Sequence, residues 1–297
     1  MLHATPSAAE KRAGFREALG SGRLLRLPGA FNPLSAKLIE RRGFDGVYIS
    51  GAVLSADLGL PDIGLTTSTE VAGRAQQISR VTALPTLVDA DTGFGEPMNA
   101  ARTVQLLEDA GVAGMHLEDQ VNPKRCGHLD GKDVVDRHTA VKRIKAAVDA
   151  RRDPNFVIAA RTDAKAVHGM DEAIVRAKEF ADAGADLLFP EAMADAADFE
   201  RLRQAVDIPI LANMTEFGKS ELLDAKTLAS AGVNVVIYPV TLLRLAMHAA
   251  DTGLRTIAEQ GSQASLLGSM QHRRDLYELL DYSEYNAFDE SVFDFRV

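Results

Sequence analysis

Two stretches of the chain carry residue types that can do chemistry together. The first is Val-Asp-Ala-Asp-Thr-Gly-Phe-Gly, Val88–Gly95, which sets Asp89 and Asp91 two residues apart. On a strand this spacing points both carboxylates to one side. Two anions held close repel each other unless a cation lies between them. Hard oxygen ligands of this kind suit Mg²⁺ or Mn²⁺, which keep several waters. Glu118, on the next strand, would complete such a metal site. The competing reading is an aspartate that caps the turn before Gly93. Gly93-Phe94-Gly95 is only Gly-x-Gly and no Walker-type lysine follows, so nucleotide binding is not supported.

The second stretch runs from Pro123 to Lys132 and holds Cys126, the one cysteine of the chain. Lys124, Arg125, His128 and Lys132 surround it, with Gly127 and Gly131 as points of flexibility. Some 20 residues here show no periodicity, and loops of that length in compact domains are usually functional or disordered. Cations beside a thiol favour the thiolate and lower its pKa. A thiol that titrates near neutrality can give and take a proton, as a reversible carbon–carbon cleavage requires. The same cations could hold substrate carboxylates, and the glycines would let the loop close as a lid. The plain alternative is a solvated basic loop with an incidental cysteine. His128 alone carries little signal beyond ordering the loop.

These residues need elements to position them. Eight short apolar runs read as strands: Leu24–Ala30, Gly46–Ser50, Leu84–Asp91, Gly114–Asp119, Phe156–Arg161, Asp186–Glu191, Pro209–Asn213 and Val233–Tyr238. Most are continuously apolar, as strands covered on both faces are. Helical stripes lie between them, as in Met98–Ala110 and Asp171–Ala183. A weak repeat runs through the chain, in which Gly43, Gly111, Gly184 and Gly232 each end a helix shortly before a strand. Eight β/α alternations predict an α/β fold, a (β/α)8 barrel, in one domain over 1–297. Two further helices, Thr241–Gln260 and Ser262–Tyr282, follow the eighth strand, with 262–297 a C-terminal helical extension available for subunit contact.

In such a barrel the site forms at the C-terminal ends of the strands. The polar residues there are Tyr48 and Ser50, Asp89 and Asp91, Glu118 and Asp119, Arg161, Glu191, and Asn213 with Thr215. A merely solvated rim would be mostly Lys, Glu and Ser.

The 297 residues are 46% hydrophobic and 25% charged, a globular balance, with a net charge of -9. That charge argues against general nucleic-acid binding but not against an anionic substrate held by local cations or a metal. No apolar run is long enough to span a membrane. The polar, alanine-rich first residues lack a secretory stretch, and a lone cysteine fits a reducing cytoplasm, so a cytoplasmic protein is expected.

From about Arg26 to Tyr282 the chain resembles the isocitrate lyase / phosphoenolpyruvate mutase superfamily, and within it the methylisocitrate lyases. The motifs that carry the resemblance are Tyr-Ile-Ser-Gly (Tyr48–Gly51), Leu-Gly-Leu-Pro-Asp (Leu58–Asp62), the Val88–Gly95 stretch, Glu-Asp-Gln (Glu118–Gln120) and Lys-Arg-Cys-Gly-His (Lys124–His128). Ala-Arg-Thr-Asp (Ala160–Asp163), Phe-Pro-Glu-Ala (Phe189–Ala192) and Ala-Asn-Met-Thr-Glu-Phe (Ala212–Phe217) follow in order. The resemblance implies a Mg²⁺-dependent lyase that splits (2S,3R)-2-methylisocitrate into pyruvate and succinate in the methylcitrate cycle of propionate catabolism. It also implies a homotetramer with a late helix swapped between subunits.

Carried over position by position, Asp89, Asp91 and Glu118 hold the metal, partly through water. Cys126 is the general acid that protonates the succinate carbanion. Ser50, Gly51, Arg161, Asn213 and Thr215 resemble the substrate-carboxylate contacts, and Ala52 belongs to the same wall. Glu191 and the segment Lys124, Arg125, Gly127 and His128 complete the site. Tyr48 is a candidate for the base that takes the hydroxyl proton. Phe189 stands where isocitrate lyases resemble one another in having tryptophan. It is thus a candidate for the contact that admits an additional methyl group, or else a barrel-core aromatic.

Two departures bear on the substrate. After His128 the chain reads Leu-Asp-Gly-Lys, closer to isocitrate lyases than the Arg-Pro-Asn-Lys common in methylisocitrate lyases, and Ala52 replaces a usual second glycine. An oxaloacetate hydrolase or another 2-hydroxydiacid lyase, isocitrate included, is therefore the alternative. A phosphonate-forming mutase is disfavoured because mutases of the superfamily lack the Lys-x-Cys-Gly segment. A non-catalytic binding barrel is disfavoured by the full set of polar strand ends.

Overall fold

Continuously apolar strands need cover on both faces, and the computed structural model, which describes residues 6–125, 127 and 131–293, supplies it. Strands β1 (Leu25–Pro28), β2 (Val47–Ile49), β3 (Thr86–Asp89), β4 (Gly114–Glu118), β5 (Val157–Thr162), β6 (Leu187–Pro190), β7 (Leu211–Asn213) and β8 (Val235–Tyr238) are all parallel. One ladder runs β2-β3-β4-β5-β6 and the other β1-β8-β7. Single parallel bridges, Gly29 with Tyr48 and Leu188 with Ile210, join the two ladders at both seams. The eight strands thus follow one another around a ring, the barrel expected from the alternation.

The helices that cover the ring are α2 (Pro33–Arg41), α3 (Gly51–Asp57), α4 (Ser68–Ser79), α5 (Pro97–Asp109), α6 (Arg137–Asp149), α7 (Ala164–His168), α8 (Met170–Asp182), α9 (Ala196–Ala205) and α10 (Ala225–Ser230). Ile39, Val71, Val104, Ile144, Phe180 and Leu202 turn inward from them to form the layer between helices and strands. Gly43, Gly111, Gly184 and Gly232 all have positive φ, from 71° to 94°, as the helix-stop reading requires. Inside the ring a second cluster contains Leu27, Leu87, Leu187, Leu211, Val235 and Ile237.

Three parts differ from the sequence expectation. A first helix, α1 (Ala8–Gly20), precedes the barrel and was not anticipated, although its signal is present. Ser7 and Glu10 form a reciprocal capping box. Its Phe15 and Leu19 enter the inner cluster beside Leu25 and Val157, so α1 stoppers the N-terminal end of the barrel. Arg12 fixes it there, donating from Nε to the Val112 carbonyl at 3.0 Å. Most strands are also shorter than the apolar runs suggest, β3 by two residues at each end.

The third difference is at the C-terminus. Helix α11 (Thr241–Gln260) has the expected bounds, but Ser262–Tyr282 is not one helix. A 3-10 segment (Ala264–Ser269) is followed by α12 (Arg273–Leu279) and then α13 (Tyr282–Phe293). The extended residues Met270 and His272 separate the 3-10 segment from α12. Lys37 of α2 reaches Asp281 at 3.1 Å, which tethers this extension to the barrel.

Phe15→Ala should remove the stopper's largest contact and cost about 3–5 kcal/mol, the usual range for emptying a buried phenylalanine site. Urea unfolding followed by circular dichroism should show a lower midpoint at an unchanged slope. A loss below about 1 kcal/mol would mean that α1 does not close the barrel.

Candidate active site

The pairing register brings the sequence-marked residues together. Asp89 pairs with His116 across β3 and β4, Glu118 with Arg161 across β4 and β5, and Arg161 with Phe189 across β5 and β6. At the C-terminal end of the ring a pocket opens that is lined by Tyr48, Ser50, Ala52, Asp89, Lys124 and Arg125 on one side. Gly127, Arg161, Phe189, Glu191, Asn213 and Thr215 line the other. Asp91 and Glu118 lie just behind this lining, and both are buried. Cys126 and His128, also marked from the sequence, lie outside the described residues.

Asp89 and Asp91 meet, but not as neighbours on a strand. Strand β3 ends at Asp89, and Asp91 lies beyond it with φ 46°, in the left-handed region. Aspartate visits that region more readily than most residues, and such conformations collect at functional sites. The Asp91 N–H donates to Asp89 Oδ1 at 3.0 Å, and the Gly51 N–H donates to Asp89 Oδ2 at 3.1 Å. Gly51 has to be glycine here. A Cβ on it would lie 2.9 Å from Asp89 Oδ2 and 3.3 Å from Asp91 Oδ1. Ser50 accepts from the Val53 N–H and caps α3, which aims the first turn of that helix at the carboxylates.

Lys124 is the cation among these anions. Its ammonium lies 2.8 Å from Asp91 Oδ1 and also pairs with Asp62. Burial works against its charge, but Asp91, Asp89 and Glu118 outweigh burial and raise its pKa. Burial, and then the charge of Asp89, push Asp91 up to about 6. Burial acts on Asp89 the same way, yet His116, Lys124 and Arg161 together hold it below the usual carboxylate range. Glu118 is raised well above its ordinary value, chiefly by burial and in spite of Arg161. Its Oε1 is buried with no hydrogen-bond partner.

These carboxylates fit a hard divalent cation. They are desolvated, oxygen-only and short of positive charge. Among the described residues no three acidic, histidine or cysteine side chains close tightly enough to cage an ion alone. That suits an ion such as Mg²⁺, which binds through one or two carboxylates and keeps its waters.

Arg161 is the second cation. Its Nε lies 2.9 Å from Asp163 Oδ2, 3.3 Å from Glu118 Oε2 and 3.7 Å from Glu191 Oε2. Its guanidinium stands 5.2 Å from the centre of the Phe189 ring. Asn213 donates to both carboxylate oxygens of Glu191, at 3.3 and 3.4 Å. Thr215 is approached by Arg244 of α11 at 3.4 Å. The Gln120 side chain brackets the Arg125 backbone, donating to its carbonyl at 2.9 Å and accepting its N–H at 2.8 Å.

Four contributors were not marked from sequence. Asp62 pairs with Lys124 and lines the pocket, although its motif gave no role. His116 is wholly buried, with Nε2 2.8 Å from the Tyr48 hydroxyl and 3.5 Å from Asp89 Oδ1. A polar residue inside a buried strand, two positions before Glu118, was the available signal. Burial lowers the His116 pKa to about 4, so the ring is neutral at neutral pH. Burial, and then Asp89, raise the Tyr48 phenol well above its ordinary value. Pro239 and Val240, after β8, supply apolar lining that no motif indicated.

The family model described as phosphoenolpyruvate phosphomutase matches residues 15–258. The chain is 65% identical over 284 residues to a probable 2-methylisocitrate lyase 2 of Corynebacterium glutamicum, an overlap of 96% of this chain and 92% of that one. Its structure is similar to oxaloacetate acetylhydrolase in complex with 3,3-difluorooxalacetate, with a TM-score of 0.91 and 31% identity over 98% of this chain and all (100%) of the other. It is also similar to phosphonopyruvate hydrolase in complex with oxalate and Mg²⁺, with a TM-score of 0.86 and 28% identity over 94% of this chain and 98% of the other. A matched model and a relative of this closeness, each spanning most of the chain, leave one assignment: it belongs to the phosphoenolpyruvate mutase / isocitrate lyase family.

Proposed function

We propose that the chain is a carbon–carbon lyase that cleaves 2-methylisocitrate to pyruvate and succinate in propionate catabolism. The observation that carries this reading is the pocket in which Asp89, backed by Asp91 and Glu118, faces Arg161, Glu191 and Asn213. It offers an anionic cluster for a metal and cationic and amide groups for carboxylates, which is the equipment a 2-hydroxy tricarboxylate needs. The name of the Corynebacterium relative supports the choice of substrate.

Asp89, Asp91 and Glu118 would hold Mg²⁺, partly through water, with Mn²⁺ as a substitute. When bound, the ion polarises the substrate hydroxyl and carboxylate as a Lewis acid. Arg161, Asn213, Thr215, Ser50 and the Gly51–Ala52 backbone bind and orient the carboxylates, with Lys124 and Arg125 adding positive charge. Tyr48 is a phenol at neutral pH. Only its phenolate form can take the substrate hydroxyl proton, and its oxygen lies 2.8 Å from His116 Nε2. Loss of that proton makes the carbonyl of pyruvate as the adjacent carbon–carbon bond breaks. The electron pair stays on the succinate carbon, which takes its proton from Cys126. Glu191 anchors Asn213, and His128 belongs to the Cys126 segment.

Hydrolysis of oxaloacetate is the second reading, favoured by the likeness to oxaloacetate acetylhydrolase along almost the whole chain. The Lys-Arg-Cys-Gly segment argues against a phosphonate mutase.

The barrel with its 262–297 extension acts as one unit, and we assign it to the cytoplasm and to a homotetramer in which a late helix is exchanged. Among the described residues no helix is long and apolar enough to cross a membrane. Leu245 and Leu254 of α11 and Phe288 of α13 are 60–68% exposed, an apolar surface that a second copy would cover.

Parallel product analysis with Mg²⁺ and methylisocitrate, isocitrate, oxaloacetate or dimethylmalate tests the assignment. Pyruvate and succinate in equal amounts from the first, with far slower turnover of the others, is expected. Oxalate and acetate from oxaloacetate as the main reaction would transfer the assignment to the second reading. Cys126→Ser should lower kcat roughly 10²–10⁴-fold, the range for a lost general acid, with KM little changed.

The metal assignment has a pH signature. The Asp91 pKa is raised from 3.8 to about 6, so the metal-free fold holds this proton more tightly than the unfolded chain does. Ionising Asp91 therefore costs stability as pH rises through that window, and a cation recovers it above the window. The gain in melting temperature on adding Mg²⁺ should be larger at pH 8 than at pH 5. Equal gains would remove Asp91 from the metal site.

Phe189→Trp tests the methyl pocket. Phe189 is 1% exposed and packs edge-on to His116 with ring centres 5.0 Å apart. The larger indole should slow methylisocitrate cleavage roughly 10–200-fold, the worth of a methyl-sized pocket, and any isocitrate cleavage less. Equal losses would mean that Phe189 only packs the core.

A further inference from the structure

Lys132 and Asp163 do not line the pocket, yet they hold groups that do. Their side chains are 3% and 0% exposed. Lys132 Nζ donates to Asp163 Oδ1 at 2.6 Å and also to the carbonyl of Gly127. The same carboxylate accepts from Arg161, with Nε 2.9 Å from Oδ2 and Nη2 3.3 Å from Oδ1. Asp163 is braced from behind, because its N–H donates to Asp119 Oδ1 at 2.9 Å. Asp119 Oδ2 in turn accepts from Thr162 Oγ1 at 2.7 Å and from Arg176 Nη1 of α8 at 3.1 Å. A continuous run of hydrogen bonds thus reaches from an outer helix to the backbone of the pocket wall.

The wall it reaches has little clearance. A Cβ on Gly127 would lie 2.5 Å from Arg161 Nη2 and 2.5 Å from Glu191 Cγ. Gly127 is therefore seated directly on the Arg161 and Glu191 side chains. A slip of its backbone would displace Arg161 or leave a gap over it.

We infer that Lys132 and Asp163 are positioning residues, a strut that ties the Gly127 backbone and the Arg161 guanidinium to one carboxylate and so holds Gly127 against the substrate-binding arginine. This deepens the proposed lyase reading and rests on it for the role of Arg161. Stability alone does not account for the pair. Without Lys132, Asp163 keeps Arg161 and the fold keeps the Asp119 brace, while the Gly127 carbonyl loses its partner. Buried ion pairs are in any case weak evidence of stabilisation.

Lys132→Met, Lys132→Arg and Asp163→Asn, compared with wild type by steady-state kinetics and hydrogen exchange read by mass spectrometry, test the strut. In Lys132→Met, exchange should quicken at least roughly tenfold in peptides covering 121–136 and stay unchanged in the rest of the barrel. Its kcat should fall about 10²-fold, as a misplaced wall allows, with KM within about threefold. Lys132→Arg should restore most of both. Wild-type exchange in 121–136, or wild-type kcat, in Lys132→Met would overturn the inference. Should Lys132→Met not fold, the nearly isosteric Asp163→Asn must show the same local quickening, and its absence would overturn the inference equally. The exchange measurement needs no substrate. If wild type fails to cleave methylisocitrate while the segment still loosens in Lys132→Met, the lyase reading falls and the strut stands.

Discussion

Uncompensated negative charge, taken out of water at the strand ends, is the constraint on which the rest of the structure depends. Asp62, Asp89, Asp91, Glu118 and Glu191 gather around one pocket, and Lys124 and Arg161 are the cations set among them. Anions in such surroundings raise one another's pKa, and Asp91 and Glu118 show it. The arrangement persists because backbone donors and two buried cations hold each carboxylate in place. It also leaves Glu118 Oε1 with no partner, an opening for a hard cation.

The barrel makes this crowding possible by fixing which strand ends are adjacent. Register alone sets Glu118 beside Arg161 and Asp89 beside His116. The inner cluster, stoppered by Phe15 at one end and floored by Tyr48 and Phe189 at the other, keeps the strands from shearing. Glycine at 51 and 127 then lets backbone approach the charged groups more closely than any side chain would permit. Packing, register and charge therefore act on the same few ångströms.

Much of this was legible in the sequence. Continuous apolar runs with a glycine stop before each strand gave the barrel and its order, because buried parallel strands leave that pattern. The polar strand ends gave the pocket lining, since side chains at equivalent positions converge. What escaped has physical reasons too. Helix α1 is short of apolar residues, and its meaning comes from where Phe15 lands, a tertiary fact. The break inside Ser262–Tyr282 depends on how the tail turns back toward α2. Asp91 was read as a strand neighbour of Asp89, because its left-handed backbone leaves no mark in residue type. His116 and Asp163 were passed over because each acts through another side chain, Tyr48 in one case and Arg161 in the other. Such roles depend on pairing across strands, not on spacing along one.

The central claim is that the Asp89, Asp91 and Glu118 carboxylates form the seat of a divalent cation at the pocket. Crystals of the protein grown with Mn²⁺ and oxalate, measured at the manganese absorption edge, test it most directly. The account predicts one strong anomalous peak within metal–ligand or water-bridged reach of Asp89, Asp91 and Glu118, lost in Asp89→Ala crystals. A peak elsewhere on the barrel, or none at this cluster in the wild-type protein, would contradict it.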